Sequence, residues 1–295
     1  MRVLVLGGTG VIGRVAVPTL LAQGHDVRVL ARNAQRCDAV RALGAEPVVG
    51  DLFDPEAMAT ALRGQEAVLN LATRVPTGSR VTRPSAWREH DRVRGAGSTV
   101  LVDAALRTGT VRTLVQEGIS LIYADGGDEV LDENAALDVP SIMDGTQVAA
   151  VNAARFAAEG RTGVALRIAM IFGDDASSRA LVSLARRGGP AMLGSPRGWT
   201  TAIHPDDVGA AVVAALRAPS GIYNVGANPV RRRGFGAVIA NAAGARKVRG
   251  VPDWLMRRAG SLSVLGRSHR LSSAKFTNAT GWRPRHPEPT GAWLG

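Results

Sequence analysis

From Val3 to Gly13 the chain reads Val-Leu-Val-Leu-Gly7-Gly8-Thr9-Gly10-Val11-Ile12-Gly13, its clearest arrangement with chemical meaning. Gly7, Gly10 and Gly13 fall at G-x-x-G-x-x-G spacing, directly after an apolar run and directly before a stretch with helical periodicity. A tight turn after a strand needs a residue free to take positive φ, and a backbone that approaches a diphosphate tolerates no Cβ. The helix that follows offers unpaired N–H groups and the positive end of its dipole to that diphosphate. The segment therefore reads as a dinucleotide-binding turn, with Gly7, Thr9, Gly10, Val11, Ile12 and Gly13 around the pyrophosphate.

The next chemistry lies at Leu30-Ala31-Arg32-Asn33. A carboxylate ~20 residues beyond such a turn holds the ribose 2′-hydroxyl of NAD. Here the place is taken by Arg32, whose guanidinium can make a bidentate contact with a 2′-phosphate. Arg32 and Asn33 thus favour NADP(H) over NAD(H). Asp51 and Leu52, after a third apolar run, are placed for the adenine end, and Leu71, Ala72 and Thr73 for the nicotinamide ribose. Between Gln116 and Tyr123 the chain should open into the cleft beside the nicotinamide, where Glu117, Ser120 and Tyr123 are the polar groups available. A carboxyl in a dry pocket has a raised pKa and serves as a general acid or base near neutrality. Glu117 is either that group or the ion-pair partner of one of the many arginines, and Tyr123 either a proton donor or a residue that shapes the pocket.

These residues need a scaffold of alternating strands and helices. Strand-like runs are Val3–Leu6, Val27–Ala31, Glu46–Val49, Ala67–Leu71, a run beginning Leu114–Gln116, and Val164–Ile168. Helix-like stretches lie between them at Ile12–Gln23, Ala34–Leu43, Pro55–Leu62 with Asp54 as cap, Trp87–Arg107 and Gln147–Glu159. Repeated β-α-β units with short turns predict an α/β, Rossmann-type doubly wound parallel sheet covered by helices on both faces. Residues 1–171 form the dinucleotide-binding part, and 201–226 return to it through a helix at Pro205–Arg217 and a strand at Gly221–Val225. Residues 172–200 and 227–295, rich in Gly, Pro and Arg, read as a smaller C-terminal substrate lobe.

Composition narrows the partners. The 295 residues carry Lys+Arg 36 against Asp+Glu 25, a net charge of +11, and 34 of the 36 cations are arginine. The arginines are scattered and only 4% of residues are aromatic, so no nucleic-acid surface is expected, since such surfaces concentrate charge beside stacking rings. One cysteine, Cys37, excludes a disulfide framework and a Cys-rich metal site. No stretch reaches the ~20 apolar residues of a membrane span, and the apolar run Val3–Leu6 ends in glycines rather than as a signal peptide. The expectation is a cytoplasmic protein with a small-molecule substrate, no metal and no membrane partner, its assembly left open with a homodimer as one option.

Together these segments resemble the extended short-chain dehydrogenase/reductase superfamily, the NAD-dependent epimerase/dehydratase group, and the Gly-Gly-Thr-Gly-Val-Ile-Gly spelling is similar to its atypical, NmrA-like members. Leu166–Gly173, Ile203–Val208, Gly221–Gly226 and Thr280–Pro284 match its L-R-x-x-x-x-[YF]-G, I-H-V-D-D-V, G-x-Y-N-V-G and L-G-W-x-P segments in order. The family's enzymes pair a tyrosine with a lysine four residues later: the lysine lowers the tyrosine pKa and holds the ribose, and the tyrosine moves a proton. This chain has no lysine before Lys247. In a gapless match Asp144 and Val148 fall on that pair, Arg92 on the customary asparagine and Ile119 on the customary serine, with Ser120 one place off. Asp144 therefore joins the carboxyl candidates, and the resemblance gives His204 a structural role. The resemblance implies an NADP(H)-dependent oxidoreductase, or an epimerase or dehydratase, with a non-standard acid or base. The other readings are a non-redox isomerase, cyclase or lyase, and a non-catalytic NADP(H) sensor that binds a protein partner.

Overall fold

The computed structural model describes residues 1–76, 80 and 83–294. Seven strands form its central sheet: β1 (Arg2–Leu6), β2 (Asp26–Ala31), β3 (Glu46–Val49), β4 (Ala67–Asn70), β5 (Thr113–Ile119), β6 (Thr162–Ile168) and β7 (Gly221–Val225). All neighbours run parallel, in the order β7-β6-β5-β4-β1-β2-β3. The chain winds outward from β1 to β3, then crosses back to β4 on the other side of β1. That reversal leaves a crevice at the carboxyl ends of β1 and β4, where doubly wound sheets bind their ligands.

Alternation along β1 divides the core in two. Val3 and Val5 join Ala16, Leu20, Val208 and Val212 under α1 (Gly13–Ala22) and α7 (Pro205–Ala214). Leu4 and Leu6 turn the other way, onto Met58, Leu101 and Phe156 of α3 (Pro55–Leu62), α4 (Arg88–Thr108) and α5 (Asp144–Ala158). Successive strand side chains point to opposite faces, so a strand that is apolar throughout must be covered on both.

Local signals set most of the boundaries. Asn33 caps α2 (Ala34–Arg41) by accepting from Arg36 N, and Asp54 caps α3 by accepting from Glu56 N and Ala57 N, with Pro55 in the first turn. Two boundaries depend on distant partners. β5 runs on through Gln116 and Glu117 to Ile119, because these polar side chains find buried partners: Asn70 Nδ2 donates to Gln116 Oε1 at 2.8 Å and Glu117 pairs with Arg94. α5 begins at Asp144, three residues before its periodicity predicts, because Asp91 of α4 accepts from Gly145 N at 2.5 Å. There α4 and α5 touch backbone to backbone: a Cβ on Gly145 would sit 2.2 Å from Asp91 O.

Residues after Ile171 build a further apolar cluster. Phe172 packs edge-on to Phe235 (ring centroids 4.8 Å apart) between α6 (Ala176–Arg186) and α8 (Arg232–Ala242), and Trp293 completes it. Arg232 is buried here and donates to the carbonyls of Ser195, Gly266, Trp199 and Arg267, an arginine used to satisfy loop backbone rather than solvent. No helix among the described residues is long and apolar enough to cross a membrane.

Candidate functional site

The glycine turn closes the crevice on one side. Gly7 has φ +79°, and a Cβ on it would lie 2.5 Å from Leu71 O and 2.8 Å from Ala72 N. A Cβ on Gly13 would fall 2.4 Å from Gly8 Cα. Gly7 and Gly13 are thus required by the chain's own packing. Gly10 is not: its Cβ would meet only Gly7 O, at 3.2 Å, with open space beyond. That open space lies beside the start of α1, where Arg14 N donates to Gly10 O at 3.0 Å and Ala16 N to Ile12 O at 2.9 Å, and where the helix turns the positive end of its dipole. The residues fit a dinucleotide's pyrophosphate, with the Gly10 backbone as the surface of close approach. Ile12 is buried in the core and Val11 is exposed beside the turn.

Arg32 leaves β2 at its carboxyl end as an exposed side chain. Asn33 spends its side-chain oxygen on the α2 cap, 3.0 Å from Arg36 N. Two further arginines converge on the turn: Arg36 donates to Thr9 Oγ1 at 3.0 Å, and Arg14 Nε to Thr9 O at 3.2 Å. Sequence reading missed both, because their relation to Arg32 depends on how α2 packs beside α1. Asp51 forms a tight turn, accepting from Phe53 N at 3.0 Å, and stays exposed, while Leu52 is buried against Gly97. Leu71 is buried and Ala72 half-buried. Thr73 is exposed and holds its hydroxyl 3.0 Å from His90 Nδ1.

The catalytic candidates separate. Glu117 is 5% exposed and forms an ion pair with Arg94, which also donates to Thr146 Oγ1 at 2.9 Å. Of the two sequence readings, the structure contains the ion pair: Arg94 holds Glu117 Oε1, and Oε2 has no partner among the described residues. Tyr123 is also engaged in the interior. It is fully buried, donates to Asn224 Oδ1 at 2.7 Å and accepts from Arg167 Nη1 at 2.7 Å, and burial raises its pKa. Ser120 is buried in the turn after β5, while Asp144 is exposed at the first residue of α5, with Val148 exposed one turn on. His204 caps α7, accepting from Asp206 N at 3.2 Å, and Asp207 accepts from Arg285 N and His286 N.

His90 was not singled out in the sequence. It lies on α4, fully buried, edge-on to Trp87 at 5.3 Å, and its Nε2 has no hydrogen-bond partner among the described residues. Burial, reinforced by the Arg94 charge, pushes its pKa down to about 3. A lone histidine in a mostly polar helix carries no periodic signal, so only the packing of α4 against the end of β4 exposes its relation to Thr73.

Comparison with known proteins agrees with this geometry. The model of the NAD dependent epimerase/dehydratase family matches residues 3–226. A 3-diazoavenalumate denitrifying reductase from a Streptomyces species is 33% identical over 97% of both chains. The photosystem II assembly factor Ycf39 of Trieres chinensis is 35% identical, over 36% of this chain and 30% of its own. Among solved structures, the UDP-glucose 4-epimerase of Thermus thermophilus in complex with NAD superposes with a TM-score of 0.77 at 26% identity, over 100% of this chain and 97% of that one. The chain belongs to the NAD dependent epimerase/dehydratase family. It is an SDR-like, NAD(P)-dependent protein of oxidoreductase type.

Two outcomes follow from the buried groups. Removing one member of the Arg94–Glu117 pair, by Glu117→Gln or Arg94→Met, should lower urea-unfolding stability by about 3–5 kcal/mol, because the other is left charged and buried. The double variant Arg94→Met/Glu117→Leu should recover most of that loss. Secondly, His90 at about 3 and His269, lowered by burial to about 4, are neutral when folded but titrate near 6.5 when unfolded. The unfolded chain then binds more protons below pH 6.5, so stability falls with acid. At pH 5 the loss should be about 2 kcal/mol per histidine, read as a lower urea midpoint than at pH 7.

Proposed function

We propose that the chain is an NADP(H)-dependent reductase that delivers hydride without an acid from the protein, and that its substrate is a small carboxylate bearing a diazo group. The observation that carries this reading is the content of α5. α5 holds no tyrosine and no lysine, a gapless match sets Asp144 and Val148 at the family's pair, and Glu117 and Tyr123 are both engaged in the interior, with Arg94 and with Asn224. Reduction of a ketone needs a proton for the alkoxide as well as a hydride. Reductive loss of a diazo group does not. The carbon–nitrogen bond breaks with its electron pair leaving as part of N2, the hydride takes its place, and the cationic charge of the diazonium is cancelled by the hydride itself. The likeness to the Streptomyces denitrifying reductase over nearly its whole length supports that chemistry.

Bound in the crevice, NADPH supplies the hydride. The chain's residues bind and orient: the Gly7–Gly13 turn takes the pyrophosphate, Arg32 takes the 2′-phosphate, and Arg14 and Arg36, both bonded to Thr9, add positive charge to the turn. Asp144, exposed and anionic, favours a cationic diazonium over a neutral ketone. Residues 172–200 and 227–294 serve as the substrate lobe over the carboxyl ends of the strands. We place the activity in the cytoplasm, with no part for nucleic acid or a metal.

The test is single-turnover reduction of a diazotised aminohydroxycinnamate with NADPH deuterated at C4. One N2 should be released, and one deuterium placed on the carbon that held the nitrogen, per NADPH oxidised, at a rate flat between about pH 6 and 8. Oxidation of NADPH by ketones only, at a rate that falls as pH rises, would overturn the reading. Separately, Arg32→Asp should weaken NADPH binding by tenfold to about a hundredfold, the worth of one charge-assisted contact, and leave NADH binding equal or better. Fluorescence titration with both nucleotides checks this, and unchanged NADPH affinity removes Arg32 from the 2′-phosphate.

A further inference from the structure

Loss of the lysine leaves a vacancy of function: in this family that ammonium also holds the ribose on the nicotinamide side. The chain's only lysines, Lys247 and Lys275, cannot supply it from α5, and Lys275 donates to Ile222 O at 2.9 Å. We propose that Thr73, fixed as a hydrogen-bond donor by His90 in its neutral Nδ1–H tautomer, holds that ribose instead, with His90 as a positioning residue.

The position follows from Gly7. Residues 71 and 72 lie so close to the glycine turn that a Cβ on Gly7 would overlap their backbone, and this brings Thr73, one residue on, to the rim of the same crevice. Its residue is exposed, whereas His90 beneath it is fully buried. The 3.0 Å contact between Thr73 Oγ1 and His90 Nδ1 can be made in two ways. If Nε2 carried the proton, Nδ1 would accept the threonine hydroxyl hydrogen, and a buried N–H with no acceptor among the described residues would remain at Nε2. If Nδ1 carries it, the group left over at Nε2 is a lone pair. An orphaned buried N–H is the costlier of the two. Arg94, one helical turn along α4, decides in the same direction, since its positive charge favours a lone pair over another N–H dipole. The edge-on contact with Trp87 holds the ring's rotation. With Nδ1–H donated to Oγ1, the threonine's own hydrogen is free for the crevice, and the β-branched side chain has few rotamers in which to lose that aim.

This assignment rests on the NADPH reading of the crevice, and the experiment separates the two. NADPH affinity is measured by fluorescence for the parent, Thr73→Val, Thr73→Ser, His90→Asn and the double variant Thr73→Val/His90→Asn. Imidazole 15N and 13C shifts of the labelled parent, with His90 assigned by His90→Asn, give the tautomer without cofactor. Expected are an Nδ1–H signature, about tenfold weaker NADPH binding in Thr73→Val (one net hydrogen bond), and near-parent binding in Thr73→Ser. His90→Asn, whose amide can still donate to Oγ1, should lose less than Thr73→Val, and the double variant should lose no more than Thr73→Val alone. An Nε2–H signature overturns the tautomer and with it the assignment. NADPH binding by the parent that Thr73→Val leaves within twofold overturns the ribose contact alone. Absence of NADPH binding by the parent removes the cofactor reading, and this assignment with it.

Discussion

The first turn of the chain and the end of β4 approach until nothing larger than a hydrogen fits between Gly7 and the Leu71 carbonyl. This contact follows from the strand order. β1 and β4 are neighbours only because the chain reverses direction across the sheet after β3, and their carboxyl ends must diverge into helices on opposite faces. The crevice, the tight entry into α1 and the position of Thr73 beside the glycine turn all derive from it. A side chain at Gly7 would push these two ends apart and remove the geometry that the rest of the cleft shares.

α5 carries neither a tyrosine nor a lysine, and at its start α4 and α5 meet backbone to backbone at Gly145. The polar groups that do occur there, Arg94, Glu117 and Thr146, bind one another in the interior. Such a pair specifies how α4 sits on β5 and contributes little net stability, because desolvation offsets most of the attraction.

Much of the fold was legible because it is local. Apolar strands of four to seven residues, caps at Asn33 and Asp54, and the glycine spacing each report on their own few neighbours, and the element order then allows few topologies. The glycine turn was legible for the same reason. The polar interior was not. Glu117 in sequence is a carboxylate at the end of a strand, suited to an acid, a base or an ion pair, and Tyr123 is a phenol near a cleft. Their partners are Arg94 on α4, and Asn224 and Arg167 on two other strands.

Residue types and short-range spacing were thus enough for the parallel α/β scaffold, the tight glycine turn after β1 and the family to which the chain belongs. They were not enough to say which polar groups are spent inside the core and which face the cleft. That came from the folded chain: Glu117 buried on Arg94, Arg36 and Arg14 drawn to Thr9, and His90 set under Thr73. A charge or a donor takes its character from what desolvates and pairs it. Those neighbours lie on other elements, in most cases tens of residues away along the chain.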